Sequence, residues 1–347
     1  MEISQVSDHL DAFRVPNINL WKLWVYPIKA LRGCQIQTAT LTREGFTHDR
    51  KFMLLRDLGK EFQNITITEY PSVCLFHTSI QGKTVTVSYR PPGGIEDEVK
   101  RLEIPLEPHL QRLKKIPVNM HFSPTTAFDM GQQYNEWFSD IFGVKVVLVY
   151  WGGNPRKVLG NLPERTTNVS SKPLSLISNI LGRIPIIGSI LYSNDWVIAF
   201  NDCAPFLVIT EESTADVTKR LPDGVEMDIT KFRSNIVLKK SSSAFEEDFW
   251  AELLFGEDTT MILTGNCGRC TSVNIDYHTG KSGTGRDGQV LKLLSKDRRV
   301  DQGVKYSPIF GRYGFVSTRC EGNVLAVGDE VVVSKRNQER TRFGKFF

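Results

Sequence analysis

The chain has 347 residues, 40% hydrophobic and 24% charged, and a net charge of +4 from 43 Lys and Arg against 39 Asp and Glu. That length accommodates two domains with separate cores. The last thirteen residues alone hold five basic side chains against one acidic, so the body is near neutral and a nucleic-acid partner is not indicated.

Residues 1–8 are acidic and lack the apolar core of a signal peptide, and six cysteines without regular spacing fit a reducing compartment, so secretion is not expected. Residues 21–26, 36–41 and 51–55 read as strands, followed by a tight turn at Asp57-Leu58-Gly59-Lys60. Residues 84–89 alternate as another strand and stop at Pro91-Pro92-Gly93-Gly94. Short strands at this spacing predict a barrel or sandwich. One helix interrupts them over 132–142, where Tyr134, Trp137, Phe138 and Ile141 share a face and Gly143 ends the run. Residues 144–150 then form a nearly continuous apolar strand, expected to be central.

From 151 to 194 the chain reads as a linker with an insertion. Its apolar stretch, 174–192, is broken by Arg183 and Pro185 and falls short of the roughly 20 residues of a spanning helix. It is read as a surface segment lying on a membrane or on the partner domain. Residues 196–200 open a second unit, a strand at 206–209 leads into a helix near 212–221 capped by Thr210 or Ser213, and strands return at 236–238, 261–263 and 331–333. Residues 249–254 and 290–294 read as short helices, and the basic tail from 336 as a solvated, frayed end, with contact to an anionic membrane as the alternative. The class is α+β, mainly β.

The chemistry centres on Cys267-Gly268-Arg269-Cys270. Alternation from Val273 predicts a strand after the pair, the reverse of the strand-then-helix order of a dithiol exchanger. A zinc ribbon needs a second such pair, whereas Cys34, Cys74, Cys203 and Cys320 are scattered, and the six histidines form no cluster. Two readings remain: one thiolate ligand for a soft metal carried by a cofactor, kept ionised partly by Arg269, or two buried structural cysteines.

Six motifs in order carry a resemblance: Tyr26-Pro27-Ile28-Lys29, His48-Asp49-Arg50-Lys51-Phe52, Asn201-Asp202-Cys203-Ala204-Pro205-Phe206-Leu207, Phe232-Arg233-Ser234-Asn235-Ile236, the cysteine pair, and Ser307-Pro308-Ile309-Phe310-Gly311. Over residues 17–335 the chain resembles the MOSC-domain proteins with an N-terminal MOSC β-barrel domain, in particular the mitochondrial amidoxime-reducing components. The resemblance implies a β-barrel-like domain at 17–150, a linker and insertion at 151–194, a MOSC β-barrel with a few helices at 195–335, and a tail at 336–347. It implies a molybdenum cofactor, a phosphate-bearing pterin dithiolene, bound between the two units with Cys270 as the metal's protein ligand and Cys267 beside it or structural. Lys29, Arg50 and Arg233 supply charge for its anionic and pterin groups. Asp202 accepts from pterin nitrogens, acts near the metal, or merely caps its own turn. Ala30, Cys203, Asn235 and Arg269 complete the expected site.

The chain departs from the family at this site. Ala30 stands where Ser is usual, Asp202-Cys203-Ala204-Pro205 replaces Asp-Thr-Ser-Pro, and Ser234 replaces Pro, so three hydroxyl contacts from Ala30, Cys203 and Ala204 are lost. The implied activity is reduction of N-hydroxylated compounds: amidoximes, hydroxylamines and N-oxides. No nucleotide-binding fingerprint or ferredoxin-type cysteine spacing is present, so electrons are expected from cytochrome b5 and its NADH-dependent reductase. The alternatives are a cofactor carrier or sulfur-handling protein like the C-terminal domain of molybdenum cofactor sulfurase, and a degenerate, cofactor-free binding protein. The absence of a pyridoxal-dependent half favours the reductase. Location in the cytoplasm, or facing it on the outer mitochondrial membrane, is expected.

Overall fold

The computed structural model describes residues 18–163 and 196–344; the expectations for residues 1–8 and for the apolar stretch 174–192 lie outside the described residues. Seven strands close a barrel, in the order Ile18–Val25, Ile236–Lys239, Phe206–Thr210, Ile309–Val316, Thr259–Gly268, Trp250–Phe255 and Glu330–Arg336, the last pairing back onto the first. Closure leaves no open edge on these strands. The first described strand therefore lies in a closed barrel otherwise made by residues beyond 205. Phe206–Thr210 and Ile236–Lys239 run parallel because the helix Glu211–Lys219 carries the chain between them; Thr210 caps that helix by accepting from the Ser213 amide. Leu20, Leu23, Phe206, Leu238, Leu253 and Met261 pack together as one core, while Ile209, Val237 and Phe310 pack outside it with Val217, Phe232 and Leu294. Alternation along each strand serves both layers.

The other sheet has five strands, ordered Lys115–Met120, Ser123–Asp129, Val146–Tyr150, Phe52–Asp57 and Phe62–Asn64. It is nearly closed, with the Asn64 side-chain amide donating to the Asn119 carbonyl across the gap at 3.2 Å. Val146–Tyr150 is central. Val146 and Leu148 face one core, with Phe138 of the helix Gln132–Phe142; Val147 and Val149 face another, with Met53, Leu55 and Phe200. That helix stops at Gly143, whose φ of +68° suits glycine. A three-stranded sheet, Phe76–Gln81, Thr84–Tyr89 and Lys100–Pro105, covers the first of these cores.

Four expectations are corrected. Residues 249–254 are the strand Trp250–Phe255, whose register shifts against Glu330–Arg336 break the alternation and leave an apolar pattern that mimics a helix. The run after the cysteine pair is a 3-10 turn, Thr271–Asn274, because Val273 is buried beside Leu294 and not on a pleat. Residues 196–200 contribute only the two-residue strand Val197–Ile198. The described part of the tail is docked and not frayed: Phe343 is 8% exposed, its amide donates to the Asp301 carboxylate at 3.0 Å, and Arg340 pairs with Asp248 at 2.8 Å. No described helix is long and apolar enough to cross a membrane.

Candidate cofactor cleft

Five loops at one side of the closed barrel bring charged residues together. Lys29 and Ala30 follow the strand Ile18–Val25, and Arg50 precedes Phe52–Asp57. Asp202 and Cys203 precede Phe206–Thr210, and Arg233 and Asn235 precede Ile236–Lys239. Arg269 and Cys270 leave the end of Thr259–Gly268. All nine line one cavity of about 310 Å³, walled on another side by Asn64–Thr68 and His121 of the N-terminal unit. Ala30, Arg50 and Arg233 have φ of +73°, +51° and +55°. Left-handed backbone at a non-glycine residue costs about 1 kcal/mol, and three such residues share this cavity.

The guanidiniums are fixed. Arg50 donates to Asp49 at 2.5 Å, to the Asn235 carbonyl oxygen at 3.1 Å and to the Arg233 backbone carbonyl at 3.0 Å; Arg233 donates to the carbonyls of Leu31 at 2.7 Å and Ala30 at 3.2 Å. Both lie over the ring of Tyr26, at 4.8 and 4.5 Å from its centroid, so one aromatic ring contacts two cations. Burial lowers the Arg233 pKa; burial pulls Arg50 the same way, but the charge of Asp49 overcomes it and holds Arg50 above its ordinary value. Tyr26, Asp49 and Asn201, which reaches Asp49 at 3.4 Å, carry this arrangement. Tyr26 and Asp49 sit inside the matched motifs, and Asn201 opens one, but sequence gives them no role.

Lys29 and Asp202 form an ion pair, and the Lys29 ammonium also donates to the Phe200 carbonyl at 3.0 Å. Burial lowers the Lys29 pKa against the pull of Asp202. Burial alone would raise the Asp202 carboxyl, but Lys29 and His121 hold it well below the usual carboxylate range. Asp202 is therefore not a turn cap, and Lys29 has its charge matched within the protein.

The two thiols of the motif differ. Cys267 is 5% exposed and receives Arg269 Nη1 at 3.0 Å, while Arg269 Nη2 donates to the Phe232 carbonyl at 3.0 Å. The guanidinium thus hydrogen-bonds Cys267, while its charge also acts on the neighbouring Cys270. Cys270 is exposed to the cleft, with Ser272 Oγ 3.2 Å from its sulfur. The pair does follow a strand, so the order is not the reverse of an exchanger's, yet both thiols are free. Burial, with the charge of Asp202 adding, pushes the Cys203 thiol up to about 12, so it stays protonated. Among the described residues no group of His, Cys, Asp and Glu could hold a metal by itself.

Two buried donors on the cavity wall have no partner among the described residues: Arg233 Nη2 and Arg269 Nε. Unsatisfied buried donors are costly, and a group that accepts from both would relieve them. Fixed guanidiniums, orphan donors and one open thiol fit an anionic cofactor with a soft metal.

These features define a two-unit β protein with a cationic cleft in which one of three thiols, Cys270, is exposed. A MOSC domain model matches residues 195–332 and a MOSC N-terminal beta barrel domain model matches 17–145, and the chain belongs to the MOSC-domain proteins that carry this N-terminal barrel. It is 27% identical to mitochondrial amidoxime reducing component 2 of Rattus norvegicus over 318 residues, covering 89% of this chain and 81% of that protein. Identity to mitochondrial amidoxime-reducing component 1 of Homo sapiens is 26% with the same coverage. Molybdenum cofactor sulfurase of Solanum lycopersicum is 25% identical over 90% of this chain but only 35% of its own length.

Proposed function

We propose that the cleft binds a molybdenum cofactor and that the protein is a molybdenum-dependent oxidoreductase reducing N-hydroxylated compounds. The observation that carries this reading is the convergence of three fixed arginines, two with orphan donors, on a cavity where Cys270 is the one open motif thiol. When bound, the cofactor supplies two-electron chemistry and an acceptor for the substrate oxygen.

The chain's own residues hold, orient and exclude. Cys270 is the metal's protein ligand; Cys203 is protonated and Cys267 is engaged by Arg269, so neither competes. Arg233 Nη2 and Arg269 Nε would donate to the cofactor's anionic and pterin groups, and Arg50, held by Asp49 and Asn235, would add a fixed positive charge. Lys29 and Asp202 form a neutral pair that lends hydrogen bonds without adding net charge. The left-handed backbone at Ala30 turns two neighbouring carbonyls onto Arg233, which offsets the hydroxyl that Ala30 lacks. Electrons come from a cytochrome b5 system, and the protein works facing the cytosol.

The similarity to a cofactor sulfurase supports a second reading, a cofactor carrier without turnover. Turnover decides between them. Protein made in a host competent for this cofactor should reduce an aryl amidoxime with a reduced viologen dye, and Cys270→Ala should abolish the reduction. A wild type that carries cofactor yet reduces no N-hydroxylated compound would establish the carrier reading instead.

A further inference from the structure

The hairpin between Lys115–Met120 and Ser123–Asp129 turns through two residues, His121 and Phe122, at φ of +52° and +67°. A turn with two left-handed residues selects Asn-Gly on steric grounds, and here it carries an imidazole and a phenyl ring instead. Backbone strain of this kind persists where surrounding structure enforces it.

The enforcing group is Arg156. It is 1% exposed and takes no carboxylate partner among the described residues: Nε donates to the Ser123 carbonyl and Nη2 to that of Met120, both at 3.2 Å, while Nη1 donates to the carbonyls of Ala199 and Asn201, both at 2.9 Å. One planar fork thus ties the residues flanking the His121 turn to the segment that ends at Asp202. The consequence is a contact between two units: His121 Nε2 lies 3.7 Å from Asp202 Oδ1, on the wall of the cleft. Among the described residues His121 is the only histidine lining that cavity. The charged groups facing the turn are Asp202, Lys29 behind it, and Arg156 beneath.

We infer that His121, oriented by Asp202 and held by the Arg156 clamp, gives a proton to the substrate oxygen as the N–O bond breaks; this rests on the reductase reading above. For an amidoxime the balance is R–C(NH2)=N–OH plus two electrons and two protons, giving R–C(NH2)=NH and water. The electrons come from an external electron-transfer protein or dye. One proton passes from His121 Nδ1 to the departing oxygen, solvent supplies the other, and solvent then reprotonates the ring. The arrangement is that of a general acid oriented by a carboxylate.

The test uses the full, cofactor-loaded chain with a reduced dye and an aryl amidoxime. His121→Ala should lower kcat about 100-fold with KM within about threefold of wild type, molybdenum content should be unchanged, and added imidazole should restore part of the rate. In resting protein without substrate, Asp202→Asn should move the ring nitrogen resonances of His121 in NMR, whereas Lys292→Ala should not. An active wild type with undiminished His121→Ala, or a variant that imidazole does not rescue, would overturn the inference alone, as would unmoved ring resonances. A wild type without turnover would bring down the reductase reading and this inference with it.

Discussion

Buried charge in this protein is handled in two ways, and Glu247 shows the less common one. Its carboxylate is fully buried; Oε2 accepts from Ser213 at 2.8 Å and Thr210 at 3.2 Å, while Oε1 has no hydrogen-bond partner among the described residues. Burial raises its pKa from 4.5 to about 7; the Ser213 bond opposes the rise and Asp248 adds to it. The folded chain therefore keeps this proton to higher pH than the unfolded chain does. Stability falls as pH rises from 4.5 to about 7 and is flat above, a loss of about 3 kcal/mol. Glu247→Gln should remove that loss: in urea unfolding, the variant gains on wild type between pH 5 and pH 7.5, and parallel curves would show that Glu247 is ionised throughout. Arg50 illustrates the other way, donating to the fixed acceptors Asp49, Asn235 and the Arg233 carbonyl. Such a fork is not replaceable by an ammonium. Arg50→Lys should leave the fold intact by circular dichroism while lowering cofactor retention, and full retention would mean that the charge alone suffices.

At the level of elements, the sequence is most legible where one period governs a whole run. The helix Gln132–Phe142 and the strand Thr84–Tyr89 sit where 3.6-residue and two-residue spacing place them, and the central position of Val146–Tyr150 follows from apolar residues on both of its faces. Legibility fails where tertiary structure breaks the period. Trp250–Phe255 contains register shifts, and Thr271–Asn274 turns to bury Val273. Composition also misleads at the tail, whose basic residues suggest solvent while Phe343 packs 6.2 Å from Tyr313 and its backbone bonds Asp301. Truncation after Arg340 should destabilise the protein by roughly 2–3 kcal/mol, the burial of one aromatic side chain with its hydrogen bonds. The urea midpoint reads this directly, and an unchanged midpoint would restore the picture of a solvated tail.

For the whole molecule, the decisive feature is that Ile18–Val25 closes the barrel made by the C-terminal strands. The loop after it thereby delivers Lys29 and Ala30 to the same cavity as Arg233, Arg269 and Cys270, more than 200 residues away. Five of the six short motifs made that grouping legible in the sequence, because each of the five contributes residues to the cleft. His121 and Arg156 fall outside every motif; their proximity to Asp202 is created by packing between the two units, which no local pattern encodes. Likewise Tyr26 sits inside a motif, but its role as a shared platform for two guanidiniums appears only when Arg50 and Arg233 come together. The central claim, that this cleft holds one molybdenum cofactor, is tested most directly by stoichiometry: elemental analysis with pterin fluorescence on protein from a cofactor-competent host, wild type beside a variant combining Arg50→Ala and Arg233→Ala. The account predicts about one molybdenum and one pterin per wild-type chain and neither in the variant. A folded wild type carrying no molybdenum and no pterin would contradict it.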